Sequence, residues 1–317
     1  MTTITSEADR ATSTAAPPPP RSQAARRSRT RLRSAIVGWS FILPNFLGFG
    51  LLTLVPVVTL FYMAFTNWNI FGQAQFVGLA NFERLIGDAT FRVSVLNTVV
   101  YAGLHIPLTI VISLALALLL NSKIRGVAFF RTAAFFPYIT SIVAIAVVWN
   151  LLFSPDYGPV NEMLRAIGIA DPPGWLTSSE WAMPAVVIVG TWRDMGYYMV
   201  LFLAGLQTVP SELHEAARVD GANAMQRFWS VTLPCLRPTM FFVTVILTIN
   251  SLKIFDLILV MTEGGPGTST LVLSQFIYRK GFEENQFGYA SAASIVLFLM
   301  CIAVTVVQFT INRRRSS

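Results

Sequence analysis

Few side chains in this sequence have the chemistry to do more than pack, and several of those stand where charge is expensive. Arg193 and Asp194 fall inside one long apolar run, flanked by Trp192, Tyr197 and Tyr198. Lys253 and Asp256 fall inside another, just after Asn250 and Ser251. A charge at the centre of a membrane helix costs about 2.5–3.5 kcal/mol on insertion scales, so each needs a reason. One reason is contact with a polar solute in a hydrated cavity; the other is pairing that fixes a helix bundle. Lys253 and Asp256, three apart, are expected to pair on one helix face, whereas Arg193 and Asp194, as neighbours, are expected to point in different directions. Arg193, Asp194, Asn250, Lys253 and Asp256 together read as the polar wall of a path through a membrane.

Catalysis finds no support in these residue types. His105 stands beside Pro107 in an apolar run and reads as a packed, hydrogen-bonded residue; His214 reads as a surface residue. The chain has no H-E-x-x-H and no G-x-x-x-x-G-K-[ST], so it supplies neither a zinc-protease helix nor a nucleotide loop. Cys235 and Cys301 offer no disulfide framework and no metal-ligand spacing, and read as packing residues. Trp149, Trp175, Trp181 and Trp192 invite a stacking role, but several lie near the ends of apolar runs, where an interfacial belt accounts for them.

The elements that must hold these residues are membrane helices. The chain is 54% hydrophobic and 12% charged, about half the charge of an ordinary soluble domain. A spanning helix needs about 20 mostly apolar residues, and six stretches qualify: about 36–65, 93–120, 132–153, 183–207, 238–262 and 288–311. Pro44 and Pro56 should kink or break the first. Residues 1–33 form a polar, Arg-rich tail with four consecutive prolines, disordered by composition. They do not read as a cleaved signal, because the following apolar run is too long and no small-residue cleavage site is evident.

Charge orients the spans. With the tail inside, segments 121–131 and 208–237 and the C-terminus are inside too. That side then carries seven tail arginines, Lys123, Arg125, Arg131, Arg218, Arg227, Arg237 and Arg313 to Arg315, sixteen basic residues in all. The other side holds five: Arg84, Arg92, Arg165, Arg279 and Lys280. The asymmetry satisfies the positive-inside rule with both ends cytoplasmic. Nucleic acid is not indicated, since both terminal basic clusters border apolar runs and lack interleaved aromatics.

Between spans four and five lies SELHEAARVDGANAMQRFWSVTLP, residues 211–234. Ser211 is placed to cap a helix, with Glu212 and Glu215 near its positive end. Leu213, Ala216 and Ala217 make an apolar stripe, and Gly221 sits where a left-handed residue would end the helix. A second helix is expected from Asn223, with Met225, Phe228, Trp229 and Thr232 along one side and Leu233-Pro234 closing it. This is a helix–turn–helix elbow over about 208–237. Its physics alone also fits a solvated helical connector.

Glu215-Ala216-Ala217, Asp220-Gly221-Ala222 and Leu233-Pro234 resemble the EAA loop of bacterial ABC importer permeases. Leu203 to Gln207, Phe255-Asp256, Met261 to Pro266, Phe76 to Phe82 and Asn121 through Arg131-Thr132 extend the likeness over most of residues 40–311. It is similar to the carbohydrate-uptake branch, the MalF-like permease subunits, with Glu263 a departure where Gly is more usual. The resemblance implies an all-α integral membrane protein of six transmembrane helices, its permease domain at 34–317, in a bacterial inner membrane. It implies that the elbow docks on an ATPase and couples nucleotide-driven closure to rocking of the helices, through Glu215, Ala216, Ala217, Asp220, Gly221, Ala222, Leu233 and Pro234. The expected partners are a second homologous permease, two ATPase domains, an external solute-binding protein, membrane lipid and a sugar. No cofactor is expected on this chain; ATP and Mg belong to the ATPase. Glycerol-3-phosphate or a polyol are alternative solutes. A secondary transporter is the other class, but it would need repeat symmetry and a coupling-ion site, and neither is evident.

Overall fold

The computed structural model describes residues 37–316 apart from 70, 71, 73, 123 and 124. The tail expected at 1–33, and Lys123, lie outside the described residues. Two units divide at Thr59/Leu60. Helix α1 (Val37–Met63) carries that division. Pro44 and Pro56 do not break it. A π-type turn at Gly50–Leu54 intervenes, with the Val55 N–H bonded to the Gly50 carbonyl. Pro56 has no N–H to return to the preceding turn, so a slackened turn just before it is a local way to absorb the loss.

From Leu60 onward the described residues form helices joined by loops. Short helix α2 (Ala80–Gly87) precedes the long α3 (Ala89–Leu120). Then follow α4 (Val127–Ile139), α5 (Ile142–Leu152) and α6 (Pro159–Ala166). The long α7 (Ala182–Gln207) leads to α8 (Ser211–Val219) and α9 (Ala224–Cys235). Helices α10 (Arg237–Leu252), α11 (Asp256–Met261), α12 (Leu273–Tyr278) and α13 (Phe287–Ser316) complete the order. Among the described residues the sole extended pairing is an isolated bridge between Thr66 and Phe76.

Among the described residues four helices, α1, α3, α7 and α13, are individually long and apolar enough to cross a membrane. Two expected spans are not straight. The stretch expected at 132–153 is α4 and α5, bent by 98°. Pro137 lies inside the last turn of α4, and Thr140 and Ser141 turn to extended backbone. The Thr140 hydroxyl donates back to the Phe136 carbonyl at 2.9 Å, partly satisfying the broken end. The stretch expected at 238–262 breaks at residues 253–255, between α10 and α11. There the Ile254 carbonyl, freed by the break, accepts from the Ser274 hydroxyl.

The bundle centres on α3 against α7. Their contact uses small polar groups, as apolar solvent demands: Ser113 donates to the Met195 carbonyl at 2.9 Å, and Thr109 meets Thr191 at 3.3 Å. One apolar cluster gathers Tyr101, Ile145, Val186 and Leu257; a second gathers Leu114, Phe202, Leu236 and Leu247. Gly196 permits the close approach of α4 to α7, because a Cβ there would stand 1.9 Å from the Ala134 carbonyl oxygen.

A third cluster, with Leu85, Phe91, Phe276 and Tyr289, ties α2, α3, α12 and α13 together. Asp88 caps α3 by accepting from the Thr90 and Phe91 N–H groups at 2.8 and 3.2 Å. It also accepts from the Tyr289 hydroxyl at 2.8 Å, and the Arg84 guanidinium lies 4.1 Å from the centre of that tyrosine ring. Burial pushes the Asp88 carboxyl up, but the hydrogen bonds from Tyr289, Phe91 and Thr90 outweigh it. Its pKa therefore lies below the ordinary carboxylate value.

Candidate functional site

The elbow is built by two capping devices in immediate succession. Pro210, not Ser211, occupies the N-cap of α8; Ser211 is the first helical residue, and no side chain caps that end. At the other end Gly221 takes φ +81°. The Ala222 N–H reaches the Ala217 carbonyl at 2.9 Å and the Gly221 N–H reaches the Arg218 carbonyl at 3.1 Å. That crossed pair is a Schellman closure, and it needs the left-handed residue that glycine provides most cheaply. Two residues later Asn223 and Gln226 form a reciprocal capping box, with bonds of 2.9 and 2.8 Å, that starts α9. Arg227 then reaches back to the Ala222 carbonyl at 2.8 Å and braces the turn.

Nothing in α8 is buried. Glu212, Leu213, Glu215 and Ala216 are all exposed, as are Asp220 and Gly221. A nine-residue helix with no buried face is short of intrinsic stability in water, so its definition rests on its ends and on whatever covers it.

The second helix departs from the expected stripe. Met225 and Trp229 are 66% and 62% exposed, whereas Phe228 packs against the second apolar cluster and Thr232 is buried. Packing of Phe228 on that cluster covers one edge of the stripe and leaves the other exposed, and a π-type turn follows at Phe228–Thr232. That turn inserts one extra residue, which rotates everything after it by about 100° relative to a straight 3.6-residue helix. Leu233-Pro234 does not close the helix either. It continues to Cys235, and the 67° bend comes between Cys235 and Arg237.

The charged residues of α7 also depart from expectation. Arg193 and Asp194 do meet: Nη1 lies 3.3 Å from Oδ1. Adjacent helix positions diverge by about 100°, but the arginine stem is long enough to curl back. The other carboxylate oxygen of Asp194 stands 3.6 Å from His105 Nε2, which is proximity rather than a hydrogen bond. His105 is almost completely buried; its Nδ1 lies 3.0 Å from the Ser251 hydroxyl and its ring stacks on Tyr101. The expectation of a packed, hydrogen-bonded histidine holds, with Ser251 as the hydrogen-bond partner and Asp194 as a neighbour that sequence spacing gave no sign of.

Around this core stands a tyrosine group. Tyr138 and Tyr197 stack at 4.5 Å with nearly parallel rings, and Arg193 lies 5.6 Å from the centre of the Tyr138 ring. Asn250 donates to the Tyr198 hydroxyl at 3.3 Å. Tyr138 was not legible as a member of this wall; it sits two residues before the α4–α5 break. Asn250 and Ser251 precede the other break. So four elements, α3, α4, α7 and α10, bring polar groups to one place flanked by two interrupted helices.

Lys253 and Asp256 do not join it as a pair. The helix that would have put them on one face ends at Leu252; Lys253 is its C-cap and Asp256 opens α11. Both are exposed, and no ion pair between them is found among the described residues.

Apolar helices of membrane length, with interrupted helices beside a polar cluster and an unburied elbow, mark a multi-pass membrane protein. The chain belongs to the family of binding-protein-dependent transport system inner membrane components, which it matches over residues 109–317. It is 37% identical over 284 residues to the lactose transport system permease protein LacF of Rhizobium radiobacter, covering 88% of this chain and 94% of that one. It is 32% identical over 289 residues to the trehalose/maltose transport system permease protein MalF of Thermococcus litoralis, covering 91% and 97%. Among solved structures, a chain of a bacterial ABC transporter that imports the acidic polysaccharide alginate superposes with a TM-score of 0.81 at 27% identity, covering 92% of this chain and all of that one. The chain is thus a permease subunit and not itself an enzyme, and the ATPase is separate.

Proposed function

We propose that this chain forms half of the translocation path of an ATP-driven sugar importer. It works with a second permease, two ATPase domains that bind ATP and Mg, and an external solute-binding protein. Relatives named for lactose and for trehalose/maltose transport support a di- or oligosaccharide. The alginate transporter, also solved with a pentasaccharide-bound periplasmic protein, supports the external partner. Four long helices and two bent pairs allow up to six spans. With α10 as the membrane part of the second pair and α9 left in the elbow, the distribution of basic residues favours cytoplasmic ends and a cytoplasmic elbow.

The observation that carries the coupling role is α8: a helix fixed at its C-terminal end by a Schellman closure, yet burying none of its own residues. Glu215, Ala216, Ala217, Asp220, Gly221 and Ala222 form the surface offered to an ATPase cleft, and Leu233-Pro234 connects it to the bend before α10. Arg193, Asp194 and Asn250 form the polar wall of the path, and Lys253 and Asp256 stand at its broken helix. Reconstitution tests the reading. The complex with its ATPase and binding protein should accumulate sugar at the expense of ATP, and the permeases without the ATPase should not. Uptake by this chain alone, driven by a proton or sodium gradient, would instead establish a secondary transporter. ATP-driven uptake of glycerol-3-phosphate or a polyol, with sugars ignored, would move the solute class.

A further inference from the structure

The wall contains a cation, but the cation is already answered. Arg193 gives Nη1 to Asp194, and the Arg193 side chain keeps 26% of its surface accessible while that of Asp194 keeps 15%. The carboxylate is hemmed in, with one oxygen toward the guanidinium and the other toward His105. Arg193 Nε is buried without a partner, so the side chain's donors are not exhausted by Asp194. Beside it lies the Tyr138–Tyr197 stack, and Asn250, an exposed residue whose amide donates to the Tyr198 hydroxyl, joins through Tyr198. The charges at the neighbouring break, Lys253 and Asp256, are again one of each sign.

We infer that the wall selects uncharged saccharides, with Asp194 as the residue that sets this by neutralising Arg193. The inference rests on the reading of this wall as part of the path. A guanidinium bound to a carboxylate still presents N–H donors in a fixed plane, which suits vicinal hydroxyls. Tyrosine faces and a carboxamide complete a surface for a neutral ring. A uronate or phosphate entering the same place would meet Asp194 as a like charge and gain little from an arginine already paired. Remove the negative charge, and the same arginine becomes an anion site.

The test uses the assembled importer in nanodiscs without its binding protein, so that the partner's own selectivity does not intervene. Labelled lactose, trehalose, maltotriose and digalacturonate are measured by equilibrium dialysis, with fluorescence of Trp192 as a second reading. At least one neutral sugar should bind, with digalacturonate about tenfold weaker or worse. Asp194→Asn should tighten digalacturonate about tenfold or more, and Arg193→Gln combined with Asp194→Asn should abolish that gain. The double variant restores neutrality, so a result caused merely by loosened packing would persist in it and overturn the inference. Digalacturonate binding the parent as tightly as the neutral sugars would also overturn it, while leaving the wall on the path. Uptake of one of these sugars by an importer whose wall variants all bind and transport it unchanged would remove the wall from the path, and the inference with it.

Discussion

Gly221→Ala isolates what the elbow contributes. A Cβ at Gly221 meets nothing within 4 Å, so the substitution brings no clash. Its whole effect is the backbone: φ is +81°, and an L side chain there costs roughly 1–2 kcal/mol. The two bonds of the Schellman closure hold only while that conformation lasts. If α8 presents its surface only in the closed form, its population relative to a frayed end falls about five- to thirtyfold, since 1.4 kcal/mol is a factor of ten in equilibrium. Sugar-stimulated ATP hydrolysis and uptake should fall together, with insertion, complex yield and binding-protein docking unchanged. Gly221→Asn should be milder, because asparagine tolerates the left-handed region better. Complexes of equal subunit content in proteoliposomes give both rates. Parental hydrolysis and uptake in Gly221→Ala would refute the coupling argument and leave α8 as a connector. Loss of uptake with hydrolysis intact would place the defect elsewhere than at the ATPase surface.

Other consequences are as direct. Gly196→Ala should destabilise the bundle by about 1–3 kcal/mol or more, because its Cβ would collide with the Ala134 carbonyl; thermal aggregation of the purified complex should start several degrees lower. Asp88→Ala should remove the cap of α3 and the Tyr289 bond, costing about 1 kcal/mol for the cap alone. The Asp88 contribution is present above the unfolded carboxylate value of 3.8 and is lost as pH falls through its lower folded value. The stability gap between parent and variant should therefore be full at pH 6 and close as the medium is acidified below that range. Cysteines at Thr5 and Ser316 should resist a membrane-impermeant maleimide in intact cells while one at Ile169 reacts; labelling of both ends from outside would sink the six-span topology. Glu215→Lys should insert normally yet lower hydrolysis and uptake in parallel, and unchanged rates would remove Glu215 from the coupling surface.

Some of this protein is determined by local rules alone. Apolar length fixes where α1, α3, α7 and α13 run, because a segment surrounded by lipid must satisfy its backbone internally. The elbow is legible for a similar reason: Gly221 and Asn223 answer backbone geometry within a few residues of themselves, and their capping bonds appear where residue type anticipates them. The tertiary structure decided what depends on phase and on distant partners. Packing against the second apolar cluster decided that Phe228 is covered while Met225 and Trp229 are not. Periodicity assumes a straight helix, which the π-type turn at Phe228–Thr232 interrupts. The break after Leu252 separated Lys253 from Asp256 for the same reason. Arg193 and Asp194 met because a long side chain can curl across the 100° between neighbours, and His105 reached that pair only because α3 packs along α7. Eighty-nine positions separate His105 from Asp194, and no local rule spans that distance; the packing of two helices does.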